Sequence, residues 1–231
     1  MKRLILIRHG STSAVRGAAF PVDEPLDRQG IEAALALTGA AGRGIALSGP
    51  SLRARETAAL LGLDAAVDHA LDECDFGSWR GRSLADLHAE DPDAVGLWLG
   101  HPDAAPHGGE SLVEVHRRVH EWLDAQAQGA GRTIAITSGG VIKSAVAIAL
   151  DAPIDATWQI DVTPLHYTEL HAHDGRWSIA CVNAPLQPVS EKTAAHARAR
   201  AAAEADLDDA AAGVDADGDG SVLTDPAGGS A

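Results

Sequence analysis

The sequence predicts an α/β domain of three layers, α/β/α, in which a mostly parallel sheet is covered by helices on both faces. Two observations carry this expectation. Leu4-Ile5-Leu6-Ile7 and Thr133-Ile134-Ala135-Ile136-Thr137 are short apolar runs, each followed by glycine, the pattern of strands buried on both faces. Between and after them lie stretches with helical apolar spacing, and strands that alternate with helices build a parallel sheet. Ligand sites in such sheets lie beyond the carboxyl ends of the strands, where Arg8-His9-Gly10 and Ser138-Gly139-Gly140 fall.

Taken in order, the first strand covers Leu4 to Ile7 and helices are expected over 28–40 and 51–61. A third helix, 111–127, places Leu112, Val115, Val119, Trp122 and Leu123 on one face, with Ser111 as its N-cap. The second glycine-bounded strand leads into a helix over 140–150. Segments 165–171 and 176–182 flank Asp174-Gly175 and read as an antiparallel hairpin. From about Ala201 the composition changes: the last 31 residues hold eight acidic residues, ten Ala and no basic residue. A domain over 1–190 followed by a disordered acidic tail over 191–231 is therefore expected. Asp215-Ala216-Asp217-Gly218-Asp219-Gly220 begins like a calcium loop, but Pro226 stands where the bidentate Glu belongs.

The chain has 231 residues, enough for a sizeable core, and with aromatics at only 3% that core must be built from Val, Ile, Leu and Ala. A net charge of −15 argues against nucleic acid and anionic membrane as partners, so an anionic substrate must be held by local positive charge. Cys74 and Cys181 lie far apart and in no metal-like spacing. Met1-Lys2-Arg3 precedes only four apolar residues before Arg8, too few for a signal peptide, and no run approaches the roughly 18 apolar residues of a membrane span. A cytoplasmic location is expected; oligomeric state is left open.

The chemistry centres on His9, an imidazole at a strand end, next to the guanidinium of Arg8 and a glycine that lets another group approach. A neutral imidazole attacks phosphorus and a guanidinium holds phosphoryl oxygens. Arg53 opens the 51–61 helix, where free amides also favour anions, and shares a face with Thr57, while Arg55 points to solvent. Glu73 lies in Leu71-Asp72-Glu73-Cys74-Asp75-Phe76-Gly77-Ser78-Trp79-Arg80-Gly81, and His107-Gly108-Gly109-Glu110-Ser111 forms a loop before a helix. Taken singly, Arg53 reads as an ion-pair partner of Glu56 or Glu110, and Glu73 as a solvated carboxylate.

In this order the segments resemble the histidine phosphatase superfamily, the phosphoglycerate mutase-like proteins, over residues 3–185. The strand with Arg8-His9-Gly10, the segment 50–58 around Arg53, the segment 71–81 around Glu73 and Gly108-Gly109-Glu110-Ser111 are each similar to a family motif. The resemblance implies a phosphoglycerate mutase-like fold and a phosphatase that hydrolyses a small phosphorylated metabolite without metal or other cofactor. It implies His9 as nucleophile, forming a phosphohistidine, Arg8 and Arg53 as stabilisers of the phosphoryl oxygens, and Glu73 as general acid and then base. Ser11, Thr12, Arg16, His107, Ser138 and Gly139 are the candidate substrate contacts, with Arg82 and His101 as further clues in the variable stretches.

One departure from the family stands out: Ser138 occupies the place of its second histidine. A serine offers one neutral hydrogen bond and no charge, so reduced activity is expected; His166 and His107 are the candidates for compensating it. The alternative reading is a phospho-ligand sensor that keeps Arg8, His9 and Arg53 as an anion pocket. A mutase-type phosphotransferase ranks last, because the chain has no obvious extra segments for a bisphosphate substrate. His116 and His120, four apart on one helix, lack a third metal ligand and read as surface.

Overall fold

The computed structural model describes residues 1–189. Met1–Pro188 make up one unit, and the expected acidic tail lies outside the described residues. Six strands, β1 (Lys2–Arg8), β2 (Ile45–Ser48), β3 (Ala66–Val67), β4 (Gly131–Thr137), β5 (His166–His173) and β6 (Arg176–Pro185), form one sheet in the order β3-β2-β4-β1-β5-β6. The first four are mutually parallel; β5 and β6 are the expected hairpin and run antiparallel. The helices are α1 (Ser13–Arg16), α2 (Arg28–Ala36), α3 (Leu52–Leu60), α4 (Leu84–Glu90), α5 (Pro92–Gly100), α6 (Leu112–Ala127) and α7 (Gly139–Ala149).

The alternation of side chains along the central strand β1 divides the core in two. Leu4 and Leu6 pack with Val115, Val119 and Leu123 of α6 and with Ile142 and Ala145 of α7. Ile5 and Ile7 pack on the other face with Ala54 and Ala58 of α3 and with Leu61. All four strand residues are buried, each worth about 1.5–3 kcal/mol of transfer free energy. A third, smaller cluster of Phe20, Trp79, Leu87 and Val95 sits with Phe76 and Trp98 beside α4 and α5, and it forms the aromatic wall of the site described below.

Three of the four expected helices start and stop within two residues of their predicted limits. The first is shorter: it ends at Ala36 rather than 40, because Gly39 adopts φ +80° and turns the chain out of the helix. Ser111 caps α6 as expected, in a reciprocal capping box with Glu114. Helices α4 and α5 each begin at a side-chain cap, Ser83 on the Asp86 amide and Asp91 on the Ala94 amide, with Pro92 opening the second.

Candidate active site

The parallel register of β1 against β4 pairs Arg8 with Thr137, so the next residues, His9 and Ser138, emerge side by side at the carboxyl edge. The His9 amide donates to the Thr137 carbonyl at 2.9 Å, which ties the two strand ends together. Thr57 holds the following turn: its hydroxyl accepts from the Gly10 amide at 3.0 Å and donates to the Arg53 carbonyl at 2.7 Å. One turn of α3 thus anchors the turn that carries His9 and sets Arg53 beside it.

The imidazole is fixed at both nitrogens. Its Nδ1–H donates to the Gly10 carbonyl at 2.8 Å, and Nε2 accepts from Arg53 Nε at 3.2 Å. Burial pushes the His9 pKa down to about 3, and the guanidinium of Arg53 and then that of Arg8 act in the same direction. His9 is consequently neutral across physiological pH, with its Nε2 lone pair turned toward Arg53. Arg53 also donates to the Val22 carbonyl at 2.9 Å. It pairs with neither Glu56, which accepts from the Leu26 amide, nor Glu110, so the simple ion-pair reading of Arg53 does not hold.

Glu73 is placed by a framework of backbone and charge. Gly109 lies so close to the chain before Phe76 that an added Cβ would fall 1.9 Å from the Asp75 carbonyl oxygen. The Glu110 amide donates to that carbonyl at 2.8 Å, and the Glu110 carboxylate accepts from the Asp75 amide at 3.1 Å. Arg118 of α6 forks onto Glu110 at 3.1 and 2.9 Å and also donates to the carbonyls of Ala70 and Asp72. The carboxylate held by this frame rests against α7: a Cβ at Gly140 would lie 2.5 Å from Glu73 Oε1. Its Oε1 also accepts from the Cys74 amide at 3.0 Å.

Arg8 faces the same helix end. Its Nη1 donates to the Val162 carbonyl, while its Nε is buried without a partner and lies 3.5 Å from where a Gly139 Cβ would stand. Burial lowers the Arg8 pKa from its usual value; Glu73 opposes the shift and Arg53 adds to it. Ser138 is the N-cap residue of α7, yet its hydroxyl makes no capping bond and is buried with no hydrogen-bond partner.

Around these groups runs a cleft of three lobes, and Glu73 lines all of them. The first, about 300 Å³, is bounded by Arg8, His9, Thr12 and Arg53 and walled by Phe20, Phe76 and Trp98. A second, about 520 Å³, opens past Arg53 to Asp23, Asp72, Asp75, Arg80 and Arg118. The third, about 330 Å³, extends from Arg8 and Gly139 along α7 to Lys143, Trp158 and Asp161. A tetrahedral anion held in the first lobe therefore has Arg8, His9, Arg53 and Glu73 on its walls.

Arg8, His9, Arg53, Glu73, Thr12 and Gly139 are brought together on these walls. Neither Ser11 nor Ser138 is among the lining residues: the Ser11 hydroxyl donates to Asp27 at 2.8 Å, and that of Ser138 is buried behind the lobes. Arg16 is half-exposed and lies on the same Asp27, at 3.3 Å, and on Gln29. His107 is buried edge-on to Trp79 and Phe76 and accepts from the Gly109 amide through Nδ1 at 3.1 Å, which is a packing position beneath the aromatic wall. His166 contacts the Pro164 carbonyl at the start of β5, outside the lobes. Arg82 pairs with Glu90 and His101 is exposed. His116 departs from its expected surface position: it is half-buried with Nδ1 unpartnered, whereas His120 is exposed beside Asp124. Among the described residues no cluster of three or more His, Cys, Asp or Glu could hold a metal ion.

Sequence reasoning missed Lys143, Trp98, Trp158 and Arg118. Lys143 carried a signal, since it follows Gly139 and Gly140 by one helical turn and must share their face. Arg118 carried a weaker one, eight residues from Glu110 across the start of α6.

The profile of the histidine phosphatase superfamily (branch 1) matches residues 4–185. A bifunctional protein of Mycobacterium tuberculosis is 35% identical over 195 residues, covering 78% of this chain; this chain spans about half, 53%, of that relative's length. Glucosyl-3-phosphoglycerate phosphatase of Mycolicibacterium vanbaalenii is 31% identical over 83% of this chain and 98% of its own. The structure of the mycobacterial glucosyl-3-phosphoglycerate phosphatase complexed with VO3 superposes with a TM-score of 0.71 at 28% identity, covering 80% of this chain and all of that one.

Proposed function

The chain belongs to the histidine phosphatase superfamily (branch 1), and from that premise we propose that it is a metal-independent phosphatase that hydrolyses a small phosphomonoester through a phosphohistidine on His9. The observation that carries the reading is the hydrogen bond from Arg53 Nε to His9 Nε2, with Nδ1–H held by Gly10. It defines a neutral imidazole whose attacking nitrogen already faces the cation that will receive the phosphoryl group.

The steps follow from the side chains. A phosphomonoester enters with its phosphoryl group against Arg8 and Arg53, and Arg53 exchanges its bond to Nε2 for one to a phosphoryl oxygen. His9 Nε2 attacks phosphorus, the P–O bond to the leaving group breaks, and protonated Glu73 gives its proton to the departing oxygen. Carboxylate Glu73 then takes a proton from water, whose oxygen displaces His9 and releases inorganic phosphate. Guanidinium charge and positioning carry the transition state.

The relatives make glucosyl-3-phosphoglycerate a first substrate to try, and the aromatic wall of Phe20, Phe76 and Trp98 suits a leaving group with an apolar or sugar face. The unpaired thiols Cys74 and Cys181 support a cytoplasmic setting. A panel of phosphorylated metabolites assayed with and without chelator tests the reading: phosphate release that survives chelation and is lost in His9→Ala is expected. The second reading, a phospho-ligand sensor, is favoured by the neutral, partnerless Ser138 hydroxyl. Tight binding of phosphate esters with no turnover on any of them would establish it instead.

A further inference from the structure

The third lobe contains a cation that the reaction above leaves unused. Lys143 lines it together with Arg8, Glu73, Gly139, Gly140 and Asp161. Among the described residues no carboxylate lies within 4.0 Å of its ammonium and no hydrogen bond engages it. Asp161, on the same lobe, is its electrostatic counterpart but not a contact partner. A partly buried ammonium without a close partner gives up hydration for nothing unless an anion arrives.

The geometry of α7 says where that anion sits. Lys143 follows Gly139 by four residues and Gly140 by three, so all three share one face of the helix. Side chains in a helix lean toward its N-terminus. The lysine stem is thereby carried back over the two glycines toward Arg8 and Glu73, the groups that rest on those same glycines. The corner also holds two buried polar atoms with no partner, Arg8 Nε and Ser138 Oγ, next to the first turn of an 11-residue helix. Arg8, with its unpartnered Nε, and the Lys143 ammonium line one lobe beside the N-terminus of α7 and describe the far half of an anion site whose near half is Arg53.

We propose that Lys143 is a phosphoryl-binding residue: its ammonium donates to a phosphoryl oxygen on the side of the group opposite Arg53 and supplies the charge that neutral Ser138 does not. The proposal rests on the assignment of the phosphoryl centre to Arg8, His9 and Arg53. Without Lys143, Arg8 is the one cation that the α7 side of that centre receives from the described residues lining the third lobe. The added cation completes a ring of three around a doubly charged group.

The test uses the full chain, with phenyl phosphate as substrate because its leaving group carries no charge that could engage Lys143. Inorganic phosphate serves as a binding probe that needs no turnover. In Lys143→Gln and Lys143→Met, phosphate affinity and kcat/KM for phenyl phosphate should fall about 10- to 100-fold, the range for a charged hydrogen bond, with the melting temperature little changed. Lys143→Arg should retain most of both. Adding Ser138→His should restore more activity in the Lys143→Gln background than it gains in the parent, since either cation fills the same role. Phosphate affinity and phenyl phosphate kinetics that are unchanged in both Lys143→Gln and Lys143→Met would overturn the proposal. So would equal gains from Ser138→His in the two backgrounds. If the parent turns over no phosphomonoester, the phosphatase reading fails, and the phosphate-binding measurements still decide the role of Lys143.

Discussion

Arg53 donates from Nε to His9 Nε2 at 3.2 Å, so the guanidinium of α3 is in direct contact with the imidazole at the β1 strand end, the proposed nucleophile. Because Gly10 fixes the proton on Nδ1, the two contacts together select the tautomer in which Nε2 is unprotonated and accepts from Arg53. Arg53→Met should lower kcat/KM by about 10²–10³, the usual cost of losing one transition-state donor. Arg53→Lys should recover only part of it, since an ammonium lacks the fork. The same Arg53→Met variant should raise the His9 pKa above its value of about 3, while burial, the larger cause, keeps it below the ordinary 6.5. An NMR titration of the imidazole reads this directly; an unchanged pKa would show that Arg53 does not act on His9 as described.

Glu73 and Gly140 supply a second test. A methyl group on Gly140 collides with Glu73 Oε1 at 2.5 Å, and that oxygen is the free end of a side chain able to swing away. Gly140→Ala should therefore leave the melting temperature within a few degrees of the parent while kcat drops, most strongly for esters with poor leaving groups, which depend on the acid. A variant with normal kcat would mean that the carboxylate does not need its position against α7.

Arg118 lines the second lobe with its charge already paired to Glu110, and it joins Glu110 to the backbone on both sides of Leu71, just before Glu73. Arg118→Met strands the Glu110 carboxylate, which is mostly buried beside it. A loss of about 2 kcal/mol is expected, seen as a melting temperature lower by several degrees, together with a fall in kcat larger than any change in KM. Restoring full activity by cooling alone would argue that Arg118 matters for stability and not for the placement of Glu73.

Acid should destabilise the fold through its buried histidines. His9 has a folded pKa of about 3, and His107 and His116 are also shifted down, all three chiefly by burial. In each case the unfolded chain binds the proton more readily, so stability present above pH 6.5 is lost as pH falls toward the folded pKa. The melting temperature of the parent should drop between pH 6.5 and 4. His9→Gln, which cannot titrate, should show a shallower drop; equal slopes would mean that His9 is not buried neutral.

The parts of this architecture that the sequence announces are those built from local patterns. Leu4 to Ile7 and Ile134 to Ile136 are continuous apolar runs because β1 and β4 are central and covered on both faces. By contrast Ile45–Ser48 and Ala66–Val67 are short and partly exposed near the sheet edge, and their residues carry no alternation to read. Helices α4 and α5 lie in a stretch whose caps, Ser83 and Asp91, are visible only once the helices are sought. In the site, Arg8, His9, Arg53 and Glu73 follow from ordered motifs. Gly140 as the seat of Glu73, and Lys143 over the same seat, are relations between segments nearly 70 residues apart, and only the packing of α7 against the Glu73 loop reveals them.

The claim on which the account depends is that His9 becomes covalently phosphorylated. Rapid mixing of the enzyme with a radiolabelled phosphomonoester, quenched in alkali to preserve a phosphoramidate, measures it most directly. The account predicts acid-labile label on the peptide containing His9, formed no more slowly than product and absent from His9→Ala, which also loses turnover. Steady phosphate release with no label on His9, or turnover that persists in His9→Ala, would contradict it.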